Sequence, residues 1–288
     1  MTSNNQPEIK EYTVSTIWRY PVKSMQGEEL NGSHVGLTGV LGDRAYALID
    51  RDTGKVVSAK NPKKWPGFFD FRARYINPEL AANPEPVWIT LPDGSLVRSD
   101  HTEINAKISQ FLGQKVELKS QAPNQAQLEQ FWPEYAGQAN EISNEAVAGD
   151  AAEGTFFDYA TIHILTTSSL EALQECYPTG RFEARRFRPN IIINSAGVKG
   201  FVENAWVGKT IRIGNELRLQ ITDPCPRCIM PTLAQGDLPA DNGIFKDAIA
   251  KNRPLVPFAN KELPSVGVYA RVLQPGWLKR NDNVMIED

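Results

Sequence analysis

Short β-rich runs, each cut off by turn residues, constrain this chain more than any other feature of its sequence. Residues 13–20 (TVSTIWRY) form one run, closed by Pro21. Residues 45–50, the turn 51–54 and residues 55–59 read as a β-hairpin. So do 87–91 and 96–98 around Pro92, Asp93 and Gly94, because Pro and Gly supply the backbone angles a tight turn needs. Further strand-like runs cover 161–166, 190–194, 210–213, 216–222 and 266–272. Helical periodicity is sparse. Residues 102–112 put Ile104, Ile108, Phe111 and Leu112 on one face before Gly113, a pattern of period 3.6 with a stop signal. Residues 168–176 predict a second helix, opened by Ser168 with Glu171 three positions on, as in a capping box. Residues 121–155 are rich in Gln, Asn, Ala and Pro with little periodicity, which sets a domain boundary and divides the chain into 12–120 and 121–280. The first dozen residues read as a disordered tail. The expected fold is a β-dominated α+β chain in two parts, each a barrel or curved sheet, with a few short helices.

Composition narrows the function. The formal net charge of −3 argues against a general nucleic-acid binder, which would be basic. Three cysteines in 288 residues make no disulfide framework. The polar start has no apolar core and does not resemble a signal peptide. No apolar run is long enough to span a bilayer. A soluble, cytoplasmic protein without membrane contact is expected.

Four segments interrupt the apolar strands with chemistry. Lys23 and Ser24 follow a strand end in 20–24 (YPVKS), as either a surface turn or part of a site. Arg44 closes the Gly-bearing turn 41–44. In 185–190 (RRFRPN), strand alternation puts Arg186, Arg188 and Asn190 on one face and Phe187 on the other. That face is either a solvated, charge-blunted edge or a fork for an anion, since guanidinium pairs its donors on phosphate. The fourth segment, 223–232 (DPCPRCIMPT), holds Cys225 and Cys228. A zinc site would need a second pair of ligands, and only Cys176 and three scattered histidines are available. A thioredoxin-like pair would open a helix, which Pro231 disfavours. Arg227 beside Cys228 favours a thiolate there, the form that ligates metal. A single thiolate cannot hold a metal alone, but it can complete a site whose other ligands come from a cofactor. Two buried, unreactive cysteines are the plain alternative.

Taken in order, residues 20–24, 42–44, 187–190 and 225–228 resemble the motifs of MOSC-domain molybdenum enzymes, most of all the amidoxime-reducing components and their bacterial relatives. The resemblance covers about residues 12–280. It implies an N-terminal β-barrel domain followed by a MOSC β-barrel domain. It implies a molybdenum cofactor, molybdopterin, whose metal is ligated by Cys228 as the catalytic centre. The pterin phosphate and ring would be held by Lys23, Ser24, Arg44, Arg188, Asn190 and Arg227, with Thr166 and Thr167 as further contacts. The implied reaction is reduction of small N-hydroxylated compounds, N–OH to N–H. The alternative is a carrier of sulfur or molybdenum cofactor. Mitochondrial relatives carry a membrane anchor and some bacterial ones a C-terminal ferredoxin-like domain. Neither is read in this chain, so electrons are expected from a separate donor protein. Lys23, Arg44, Arg188 and Cys228 should then line one cleft between the two parts. Cys225 is left without a role.

Overall fold

The computed structural model describes residues 12–77, 85–132, 141–152, 154–195 and 197–287; most of the predicted N-terminal tail lies outside them. Seven strands close into a barrel in the order Tyr12–Arg19, Ile191–Asn194, Ile162–Thr166, Ser265–Gln274, Leu217–Pro226, Thr210–Ile213 and Asn283–Glu287, which pairs back with Tyr12–Arg19. Glu28–Leu30 extends the sheet beyond Tyr12–Arg19. All barrel pairings are antiparallel except Ile162–Thr166 with Ile191–Asn194. Closure leaves no long unpaired edge between these strands. The first strand of the chain thus belongs to the same sheet as the strands of the C-terminal half, so the fold is laced across the division read from sequence.

Alternation explains the barrel core. Val14 and Ile17, Ile162 and Ile164, Ile191 and Ile193, Leu219 and Ile221, and Val268 and Ala270 pack inside it. Residues between them face outward, where Leu165 and Val266 meet a second apolar layer with Leu173, Phe182, Phe187 and Phe245. That layer includes the helix Thr167–Cys176. Strands covered on both faces read as continuous apolar runs, which is why 191–193 is all isoleucine.

The N-terminal half has its own core. The hairpin 87–98 forms as Val87–Thr90 against Leu96–Arg98, and the unpredicted strand Arg72–Tyr75 joins its other side. The hairpin 45–59 forms only a short ladder, with Asp50 N–H donating to Lys55 O and Val57 N–H to Leu48 O. The main partner of Ala47–Asp50 is Val116–Lys119. The helix Ile104–Leu112 ends at Gly113, whose φ of 65° is the left-handed value a helix terminus favours. Ile104, Ile108 and Leu112 are buried, whereas Phe111 is 41% exposed and packs edge-on against Phe71. Residues 121–155, read as irregular, contain an antiparallel ladder of Gln127–Trp132 with Glu141–Ala146. Its polar, largely exposed second strand hides the period-2 signal. Cys228 and Met230 pack into this N-terminal core with Phe68, Phe71 and Trp65, so the cysteine motif ties the barrel to the first half. No helix among the described residues is long and apolar enough to cross a membrane.

Candidate functional site

A cleft of about 330 Å³ opens where the two halves meet, and Lys23, Ser24, Arg44, Arg188, Asn190, Arg227 and Cys228 all line it. The chain folds so locally because three of these residues take backbone angles that L side chains rarely adopt. Ser24, Arg44 and Arg188 have φ of 66°, 48° and 55°, three of the seven non-glycine positive values among the described residues. Left-handed backbone at a non-glycine residue costs energy and persists where surrounding contacts fix it, typically at functional sites.

Arg188 shows what this backbone achieves. Residues Ala184–Arg186 form a 3-10 turn rather than a strand, so the alternation expected for 186–190 does not hold. Arg186 turns away from the cleft and donates to the carbonyls of Arg181, Pro231, Leu233 and Pro239. The left-handed turn at Arg188 swings its guanidinium the other way, over the Tyr20 ring at 4.1 Å and onto Met25 O at 2.6 Å. Burial lowers the Arg188 pKa to about 10, with the nearby Arg44 acting in the same direction.

Arg44 and Asn190 are joined through Asp43, a residue the sequence reading passed over. The Asp43 carboxylate accepts from Arg44, from Asn190 Nδ2 at 2.8 Å and from Tyr20 N–H at 2.7 Å. Asn190 Oδ1 accepts in turn from His163 N–H at 3.1 Å. Ser24 Oγ accepts from Ala59 N–H at 3.2 Å and so places Lys60, another missed cation of the cleft. Lys23 donates to Phe156 O at 2.6 Å and meets Asp158 at 2.5 Å, while Lys60 reaches the other Asp158 oxygen at 3.1 Å. Burial lowers the Lys23 pKa to about 8, Lys60 adds to the effect and Asp158 opposes it. Burial alone would raise Asp158, but the two lysines outweigh it and hold the carboxyl far below the usual range.

The two cysteines are not equivalent. The strand Leu217–Pro226 runs four residues past its predicted end at 222 and carries Cys225 itself. Register shifts between Ile221 and Asp223 and between Pro224 and Pro226 re-aim its last residues toward the cleft. Arg227 was expected to stabilise a thiolate at Cys228. Its Nη1 donates instead to Cys225 Sγ at 3.0 Å, and its Nη2 to Phe187 O at 3.0 Å. Burial would raise the Cys225 thiol, but His163 and Arg227 outweigh it and bring the pKa down to about 6. Burial pushes the Cys228 thiol up.

Thr166 and Thr167 do not line the cleft. Thr166 is fully buried and caps the helix, accepting from Ser169 N–H at 3.2 Å. The cap is therefore two residues earlier than the Ser168–Glu171 pattern suggests, because Thr166 ends the strand in extended backbone. Thr167 pairs with Ser195 at 3.0 Å.

The donor set suits an anionic cofactor. Among the described residues, Lys23, Arg44, Lys60, Arg188 and Arg227 outnumber the carboxylates of Asp158 and Glu145 that line the cleft and of Asp43, which pairs with Arg44. The buried Arg227 Nε has no hydrogen-bond partner among the described residues, an expensive arrangement unless a ligand completes it. No three His, Cys, Asp or Glu side chains among the described residues gather to hold a metal ion by themselves. A metal at Cys228 would take its other ligands from the cofactor.

Two domain families match this architecture: residues 11–138 match the MOSC N-terminal beta barrel domain and residues 152–285 the MOSC domain. The chain belongs to the MOSC-domain proteins. Among characterised proteins it is similar to human molybdenum cofactor sulfurase, 27% identical over 253 residues, covering 78% of this chain and 27% of that protein. It is similar also to mouse mitochondrial amidoxime-reducing component 1, 24% identical over 293 residues, covering 95% of this chain and 82% of the relative. The chain thus spans under a third of the sulfurase's length. A solved structure, the YUAD protein from Bacillus subtilis, aligns over 96% of both chains with 11% identity and a TM-score of 0.43.

Proposed function

We propose that this chain is a molybdenum-cofactor-dependent reductase that converts N–OH to N–H in small N-hydroxylated compounds, with electrons from a separate donor protein. The observation that supports this reading is the meeting of one thiol, Cys228, with five cations in a single cleft. When bound, molybdopterin would supply the two-electron chemistry. The residues of the chain do the rest. Cys228 contributes a soft sulfur ligand and gives up its proton on ligating. Lys23, Arg44 and Arg188 hold anionic groups of the cofactor, and Arg227 Nε gains a partner. Ser24 and Asn190 keep the cations in place through Ala59 and Asp43. Trp132, Tyr159 and Phe258, which line the same cleft, shield a small substrate from water.

The test is turnover of an aromatic amidoxime by the molybdenum-loaded chain under a chemical reductant. Amidine formation is expected. Full molybdenum content with no turnover under any reductant would defeat the assignment while sparing the cofactor. A second reading, a carrier of sulfur or cofactor, is favoured by a second cysteine, Cys225, which lines the same cleft and accepts from Arg227. It predicts a persulfide on the chain after incubation with a cysteine desulfurase.

A further inference from the structure

Cys225 takes no part in the reductase reading, yet it is held by several neighbours. Three adjacent barrel strands build its setting. His163 lies on Ile162–Thr166, directly opposite Tyr269 on Ser265–Gln274. Tyr269 lies opposite Asp223 on Leu217–Pro226, two residues before Cys225. The three side chains therefore form a row across the outer wall of the barrel, and all three line the cleft. The His163 and Tyr269 rings meet edge-on with centroids 6.0 Å apart, and His163 acts electrostatically to favour the Cys225 thiolate.

The row is seated by backbone. His163 is buried, and its Nε2 pairs with Val266 O at 3.2 Å. A Cβ at Gly267 would fall 2.4 Å from that nitrogen and 2.5 Å from Ile164 O, and Gly267 has a φ of 76°. Only glycine leaves room for the imidazole there. The His163 backbone is fixed on both sides by Asn190, whose N–H donates to His163 O at 2.8 Å and whose Oδ1 accepts from His163 N–H. Arg227 holds Cys225 Sγ from the cleft side.

Removing the oxygen of an N-hydroxyl group as water consumes two electrons and two protons: RNHOH + 2e⁻ + 2H⁺ gives RNH₂ + H₂O. The electrons come from the donor protein. We infer that Cys225, His163 and Tyr269 form the relay that supplies the protons, with the Cys225 thiol as the donor facing the cleft and His163 reprotonating it. The inference rests on the reductase reading. A donor that ionises near the working pH is suited to general acid catalysis, worth roughly 10²–10⁴-fold in rate. The charged and titratable groups around the row are Arg227 and Lys60 beside Cys225, Glu203 beside His163, and Asp158, Asp223 and Tyr159 beside Tyr269.

Two measurements on the full chain test the relay. The first follows thiolate absorbance against pH in metal-free protein. Wild type should show a thiol that ionises below neutrality. The transition should vanish in Cys225→Ser and move up by about one pH unit in His163→Gln. The second follows turnover by molybdenum-loaded protein under a chemical reductant. Cys225→Ser should keep its molybdenum and KM and lose about 100-fold in kcat. His163→Gln, should Cys225→Ser fold poorly, should move the alkaline limb of the pH profile, since the donor acts as the thiol and the rate falls as pH rises through its ionisation. A transition unchanged in Cys225→Ser would overturn the relay, as would a wild-type kcat in both variants. An inactive wild type would defeat the reductase reading and the relay with it, whereas an active wild type matched by Cys225→Ser would defeat the relay alone.

Discussion

Two buried polar clusters of the molecule differ in one respect: one is closed and the other open. At the start of the helix Thr167–Cys176, the fully buried Glu203 accepts from Thr166 Oγ1 at 2.7 Å and Ser169 Oγ at 2.6 Å. Thr167, Ser168 and Ser195 are bonded among themselves. In the cleft, cations outnumber carboxylates and the buried Arg227 Nε lacks a partner among the described residues. A closed network of polar groups fixes a structure, while an open one with excess charge of one sign marks where a ligand belongs. Arg186 and Arg188 repeat the contrast two residues apart, the first saturated with carbonyls and the second turned by left-handed backbone into the cleft.

The comparison is sharpest where a substitution moves stability without moving binding, or the reverse. Glu203→Ala should cost about 3 kcal/mol of stability, since it strands two buried hydroxyls. Cofactor content in the protein that remains folded should be unchanged, as read by denaturant unfolding and metal analysis. Arg188→Ala should do the opposite. It removes a charge-assisted contact worth about 1.5–3 kcal/mol, so affinity for the cofactor should fall ~10–150-fold by titration, with a smaller effect on melting.

Asp158→Asn should destabilise the metal-free chain by about 2 kcal/mol, between the values for exposed and buried pairs, because it leaves Lys23 and Lys60 unpaired. The Asp158 pKa is depressed on folding, so its contribution is present above the ordinary carboxylate range and lost as pH falls toward the folded value. The gap between Asp158→Asn and wild type should therefore narrow in strong acid. The smallest effect is expected for Thr167→Ala, about 1 kcal/mol of stability for an exchange of two bonds with Ser195, with no loss of cofactor. A large loss of cofactor in Thr167→Ala would break the division between closed and open clusters.

Much of the fold could be read from residue order. Alternating isoleucines and turn residues located the barrel strands, and the 3.6 period with Gly113 located the helix Ile104–Leu112. The strand Glu141–Ala146 escaped notice because its exposed residues carry no apolar alternation. Within the site, the motif residues in contiguous polar segments were legible: Lys23, Arg44, Arg188, Asn190, Arg227 and Cys228 do meet in one cleft. Residues that reach it by tertiary placement were not. Lys60 and Asp158 sit in ordinary-looking turns, and His163 hides inside an apolar strand as an outward position. Arg227 acts on the Cys228 thiol in the expected direction, but its hydrogen bond goes to Cys225, which adjacency in sequence did not foretell where bulges re-aim a strand. Thr166 and Thr167 failed as cleft residues for a related reason. A Thr-Thr-Ser-Ser run at a strand end serves the cap of the helix that follows it.

The central claim is that Cys228 and the surrounding cations form a molybdenum-cofactor site, and it is tested most directly by molybdenum content per chain in wild type and in Cys228→Ala, purified side by side from cells that make the cofactor. The account predicts close to one metal per wild-type chain, near-complete loss in Cys228→Ala, and retention in Cys225→Ser. Equal molybdenum in wild type and Cys228→Ala, or none in folded wild type, would contradict it.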